Sequence, residues 1–123
     1  MFEIIFYKDE NGCEPVKDYI MGLKENLQNK DNRIKIHKIT EYMKILKQFG
    51  TRAGEPYVKH IEGSLWELRP TTERIFFFYW VNDTFVLLHH FSKKTQKTPK
   101  KEIKKAMSNL DDFLKRSDLK WRK

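Results

Sequence analysis

Leu65-Trp66-Glu67-Leu68-Arg69, a turn over Pro70–Glu73, then Arg74-Ile75-Phe76-Phe77-Phe78-Tyr79-Trp80-Val81: on these residues the fold is decided. Side chains alternate across a strand, so Trp66 and Leu68 share one face while Leu65, Glu67 and Arg69 share the other. With Trp66 and Leu68 packed on helices, Glu67 and Arg69 project from the opposite, open face. The run Arg74–Val81 is apolar at both parities, which predicts a central strand covered at least partly on each side. Tyr57–Ile61 before it and Thr84–Phe91 after it read as further β segments. Glu62-Gly63-Ser64 and Asn82-Asp83 supply turns between them. Connections this short predict antiparallel hairpins.

Upstream, the period is helical. Phe2–Tyr7 is a short first strand rich in β-branched and aromatic residues. Pro15 suits the first turn of a helix, and Val16, Ile20, Leu23 and Leu27 follow at helical spacing. A polar break at Asn29–Asn32 precedes a longer helix with Ile36, Ile39, Met43, Leu46 and Phe49 on one stripe, stopped by Gly50. Both stripes face the same sheet in the simplest arrangement, and neither contains a cofactor box. After a loop at Thr51–Pro56 come the β segments. A last helix opens near Thr98-Pro99, with Ile103, Ala106, Met107, Leu110 and Phe113/Leu114 on one side and Lys100, Lys101, Lys104 and Lys105 on the other. The expected fold class is therefore α+β: an antiparallel β-sheet with two N-terminal helices packed on one face and a C-terminal helix.

The composition fits this architecture. At 123 residues the chain is the length of one domain, 1–123, and a hydrophobic content of 39% is enough for a core. No repeat or Pro/Gly/Ser linker divides it. A single cysteine, Cys13, excludes an internal disulfide framework and any cysteine-built zinc site. The longest apolar run, Ile75–Val81, falls far short of the roughly 20 residues of a membrane span. The opening MFEIIFYKDE has no basic n-region followed by a long apolar stretch, so no signal peptide and a cytoplasmic location are expected.

Charge is unevenly placed. The chain holds 25 Lys and Arg against 17 Asp and Glu, for a net +8. Residues 1–92 balance, with 13 of each sign, whereas residues 93–123 hold 12 basic and 4 acidic residues. A localised basic field concentrates polyanions and speeds encounter with them, so nucleic acid or an acidic protein is the expected partner.

One group of residues can do chemistry with such an anion. Arg69 closes one strand and Arg74 opens the next. Phe91-Ser92-Lys93-Lys94-Thr95-Gln96-Lys97-Thr98-Pro99 joins the last strand to the final helix. That segment offers three ammoniums, three hydroxyls and an amide just before a helix N-terminus, where free N–H groups favour an anion. Should it meet Arg69 and Arg74, two planar guanidiniums and several ammoniums surround one phosphate and can stabilise a phosphodiester transition state. His37, His60, His89 and His90 lack the i,i+4 helical spacing or cysteine partners of a specific zinc site. His89 and His90 are adjacent on a strand and point to opposite faces, so at most one reaches an open site.

These blocks resemble a known family. Leu65-Trp66-Glu67-Leu68-Arg69-Pro70, Arg74–Trp80 and Leu87-Leu88-His89-His90-Phe91-Ser92-Lys93-Lys94-Thr95-Gln96-Lys97-Thr98-Pro99, with Glu102-Ile103 and Ala106, look like the HigB toxins of the RelE/ParE superfamily, and more narrowly their phage-derived branch. The resemblance implies a RelE-like, microbial-RNase-like fold with a concave active face. It implies the toxin of a type II toxin–antitoxin system: a metal-independent endoribonuclease that cuts mRNA on the translating ribosome, with no cofactor. It also implies a HigA-like helix-turn-helix antitoxin as partner in a heterotetrameric complex. Carried over position by position, the catalytic set is Arg69, Arg74, Lys93, Lys94 and His90, and the substrate-binding set is Glu67, Thr95 and Lys97. The proton-transfer group stays open among Lys93, Lys94, Lys97 and His90, because the Arg-Tyr signature of several RelE relatives has no counterpart in a final helix without tyrosine. ParE-like relatives share the fold but bind DNA gyrase without catalysis, which is the competing expectation. Trp121, in the terminal Asp118–Lys123 segment, is open to docking on the domain, stacking on RNA or contacting a partner.

Overall fold

The computed structural model describes the backbone of residues 1–121 and the side chains of residues 1–117, so Trp121's role lies outside the described side chains. Five strands form one sheet in the order β1-β5-β4-β3-β2: β1 (Glu3–Phe6), β2 (Val58–Glu62), β3 (Leu65–Leu68), β4 (Glu73–Tyr79) and β5 (Thr84–Ser92). Strands β2 to β5 are an antiparallel meander, as their short turns require. The sheet as a whole is mixed, because β1 pairs with β5 in parallel. Hairpin logic carried no information on β1, which is separated from β2 by two helices and lies at the far edge.

Those helices are α1 (Pro15–Lys24) and α2 (Lys30–Phe49). Pro15 opens α1, and Asn29 caps α2 by accepting a hydrogen bond from the Asn32 backbone N–H at 3.1 Å. Gly50 ends α2 at φ +62°, where a Cβ would lie 2.8 Å from the Phe2 ring. Val16, Leu23, Ile39 and Leu46 from this pair bury Val58, Leu68, Ile75, Phe77, Phe85 and Leu87 of the sheet, with Trp66 packed alongside.

The opposite face, left open in the sequence reading, is covered. The third helix, α3 (Lys100–Trp121), lies across it, and Ala106 and Leu110 pack on Leu65, Phe76, Phe78, Val86 and Leu88. The apolar residues at both parities of β4 therefore serve two separate cores. Lys100, Lys101, Lys104 and Lys105 stay exposed on the outer side of α3. What remains open is the end of the sheet where β3 finishes, β4 begins and β5 leaves for α3.

A bulge shapes that end. The β4–β5 register slips between Phe76 and Phe77, leaving Leu88 opposite no partner. Asn109 of α3 compensates by donating to the Leu88 carbonyl at 2.9 Å, and is itself buried. Beyond the bulge the parity of β5 reverses: His89 joins the α3 face and bonds Glu102 at 2.7 Å, while His90 turns to the α1 face. Unbroken alternation along β5 would place His90 on the face of Val86 and Leu88 instead.

Candidate functional site

Arg69, Thr72, Arg74, Lys93, Lys94, Thr95 and Gln96 line one open cleft of about 560 Å³ at this end of the sheet. Strand pairing explains the convergence. Glu67 lies opposite Phe76, so the residues that follow β3 and the first residues of β4 are neighbours across the Pro70–Glu73 turn. Arg74 is opposite Phe91 in the register, and the Lys93 N–H donates to the Thr72 carbonyl at 2.8 Å, extending the pairing into the β5–α3 segment.

Arg74 is the most firmly held cation. Its side chain is 11% exposed, and its Nη1 donates to the carbonyls of Thr71 and Glu73, both at 2.8 Å. Thr71 reaches this pose with φ +57°, a left-handed conformation unusual for a β-branched residue. Arg69 donates from Nη1 to Glu55 at 2.8 Å. Beneath the two guanidiniums lies Glu67, 1% exposed, with Oε1 3.5 Å from Arg69 Nε and 3.7 Å from Arg74 Nε. Its Oε2 accepts from the Thr98 hydroxyl at 3.3 Å. Lys93 sits beside this cluster. Burial, then the charge of Arg74, pull its ammonium below the ordinary lysine range, against the opposing pull of Glu67. Such a lysine exchanges its proton more readily than a solvated one.

The structure thus brings together Arg69, Arg74, Lys93, Lys94 and Thr95. Lys97 is exposed on the segment before α3, outside the cleft lining, where its carbonyl accepts from the Thr95 hydroxyl at 2.8 Å. Glu67, expected among the substrate contacts, is instead buried on the floor beneath the two guanidiniums.

His90 is not in the cleft. The bulge sends it to the other face, where it stacks on Tyr19 of α1 with ring centroids 3.5 Å apart and bonds Glu73 at 2.8 Å. Tyr19 and Ser92 also donate to the Glu73 carboxylate, at 2.6 and 2.9 Å. Burial pushes Glu73 up, but the hydrogen bonds from Tyr19, His90 and Ser92 outweigh it and hold its carboxyl at about 2. Burial lowers His90, against the opposing pull of Glu73. This cluster ties α1 to β4 and β5 directly behind Arg74.

Two nearby residues escaped the sequence reading. Thr72 sits in the Pro70–Glu73 turn, where sequence position alone marks only a connector. Lys59 pairs with Glu67 in the β2–β3 register, shares its face, is exposed, and adds its positive charge to the field at Lys93. Its signal was available: it follows apolar Val58 in an alternating strand. Among the described residues no three His, Cys, Asp or Glu gather as metal ligands. None of the described helices is long and apolar enough to cross a membrane.

No curated protein matches the chain in sequence. A family model does, over residues 22–111, a span running from α1 through the cleft into α3. Its description is "Phage derived protein Gp49-like (DUF891)", a family related to the RelE/HigB toxin superfamily. The chain belongs to this phage-derived Gp49-like family.

Proposed function

We propose that this protein is the toxin of a type II toxin–antitoxin pair and acts as an endoribonuclease on mRNA at the ribosome. The observation that carries the reading is the cleft in which Arg69, Arg74, Lys93 and Lys94 face one space large enough for a phosphodiester. RNA supplies its own nucleophile: the 2′-hydroxyl passes its proton to solvent water and attacks the adjacent phosphorus, the bond to the 5′-oxygen breaks, and a 2′,3′-cyclic phosphate is left. Arg69 and Arg74 neutralise the charge that builds on the phosphoryl oxygens, and Arg74, already held by two backbone carbonyls, needs little reorganisation to do so. Lys93 gives a proton to the departing 5′-oxygen, a role suited to an ammonium lowered by burial and Arg74. Lys94 and Thr95 hold the neighbouring backbone. A HigA-like helix-turn-helix antitoxin is the proposed partner, in a heterotetramer.

Mapping mRNA 5′ ends after induction tests the reading. The wild-type chain produces new ends within translated regions. Arg74→Ala lowers cleavage on ribosomes by roughly 10²–10³, and Arg74→Lys restores little, because an ammonium cannot reproduce the guanidinium's fork. Growth arrest without new mRNA ends, or wild-type cleavage by a folded Arg74→Ala protein, overturns the proposal. The first result favours a ParE-like inhibitor of gyrase.

A further inference from the structure

Glu67 makes an ion pair of an unusual kind. An Arg–carboxylate pair built for attraction alone closes to roughly 2.7–2.9 Å with parallel hydrogen bonds. Here one buried carboxylate lies between two guanidiniums at 3.5 and 3.7 Å, and Glu67 Oε1, Arg69 Nε and Arg74 Nε are all buried without a hydrogen-bond partner. Leaving three such groups unpaired is costly and is seldom tolerated without a reason. Three anchors hold the arrangement open. Thr98, at the foot of α3, donates to Glu67 Oε2; Glu55 takes Arg69 Nη1; and the Thr71 and Glu73 carbonyls take Arg74 Nη1. Each guanidinium is then fixed by one terminal nitrogen, while its Nη2 is engaged in no hydrogen bond or ion pair among the described residues.

We propose that Glu67 is the positioning residue of the cleft: an internal counter-charge that keeps two like-charged guanidiniums side by side while leaving their outer edges for a phosphodiester. A direct substrate contact is a poorer account, because the carboxylate is 1% exposed beneath the arginines and carries the same sign as the phosphate. A plain stabilising salt bridge is poorer too, since neither pair reaches hydrogen-bond geometry. The charge on Glu67 tempers the cleft's attraction for anions, and its position sets the spacing of the cations that act on the phosphoryl oxygens. It also opposes the combined pull of Arg74, Arg69 and Lys59 on Lys93. Affinity and rate consequently respond to Glu67 in opposite directions.

The test pairs binding with turnover, and only its turnover arm rests on the nuclease reading. The binding probe is a fluorescent ten-nucleotide RNA bearing 2′-O-methyl groups throughout, which lacks the internal nucleophile. Its affinity is measured at fixed ionic strength by anisotropy. Glu67→Gln binds this probe roughly tenfold more tightly than wild type, because a like charge has gone, yet cuts ribosome-bound mRNA with a kcat at least tenfold lower and a smaller KM. Glu67→Asp keeps the charge but withdraws it by one methylene: probe affinity stays within about twofold of wild type and kcat still falls. Unchanged or weaker probe binding by folded Glu67→Gln overturns the proposal. Should that variant fail to fold, wild-type kcat in Glu67→Asp overturns it. If no form of the protein cuts mRNA, the nuclease reading fails, and the binding arm still judges Glu67.

Discussion

Thr71 shows how a single residue's strain can serve a site. A β-branched side chain at φ +57° costs about 1–2 kcal/mol relative to an ordinary backbone pose. The pose closes the turn, in which the Glu73 N–H donates to the Pro70 carbonyl at 3.0 Å, and aims the Thr71 carbonyl at Arg74. Glycine takes this conformation freely but loses more freedom on folding, an opposing effect of about 0.4–1 kcal/mol. Thr71→Gly is therefore expected to stabilise the fold modestly, by up to about 1.6 kcal/mol. Urea unfolding reads this directly, and a lower midpoint would show that the Thr71 hydroxyl, which donates to the Pro70 carbonyl at 2.6 Å, outweighs the strain. Asn82 and Asp83, at φ 52° and 56°, take the same conformation with less penalty because short polar side chains tolerate it, and they form the two-residue hairpin turn expected of them.

Elements meet at the bulge of β5, and its consequences reach further than one residue. The extra residue at Leu88 presents a carbonyl that accepts from Asn109 of α3, which ties the helix to the bulge. Asn109→Ala removes this buried hydrogen bond and is expected to cost about 1–3 kcal/mol, seen as a drop in the denaturation midpoint. A larger loss is expected from Asn109→Asp, since a carboxylate cannot donate to a carbonyl and would bury an unpaired charge beside it. The bulge also decides which histidine serves which face. Past it, His89 meets Glu102 of α3 and His90 meets Glu73 and Tyr19, which settles the pair whose outward member alternation left open.

For the whole molecule, the candidate cleft and a hydrogen-bonded brace lie on opposite faces of one sheet. The cleft occupies the α3 side of the strand ends, and the Tyr19–Glu73–His90–Ser92 cluster braces the α1 side behind it. This brace makes the fold acid-sensitive in a defined direction. Glu73 is held at about 2 in the folded chain against an ordinary 4.5, so its contribution is complete above about 4.5 and is lost as pH falls toward 2. His90 is also depressed, so the unfolded chain binds its proton first as pH drops below the ordinary 6.5, again favouring unfolding. Unfolding free energy should fall from pH 7 toward pH 3, and Glu73→Gln should be less stable at pH 7 with a flatter profile below pH 4.5. Urea midpoints measured across that range check both the sign and the window.

Much of this was legible in the chain because it depends on near neighbours. Periods of 3.6 and 2 marked three helices and the meander; Pro15, Gly50 and Asn82-Asp83 marked their ends; and residues apolar at both parities marked β4 as central. The basic segment after β5 and the two arginines flanking one turn were visible as candidate anion ligands for the same reason. Long-range placement was not. Nothing local to β1 says that it pairs with β5 in parallel, because that pairing is settled by how α1 and α2 cross the sheet. Nothing local to Glu67 says that it is buried between two arginines, because its partners come from other segments, among them Thr98, 31 residues away. The histidines turned on a one-residue register slip whose compensating hydrogen bond comes from another element. Sequence determines what each segment tends to be; packing across the sheet decided which charges share a space.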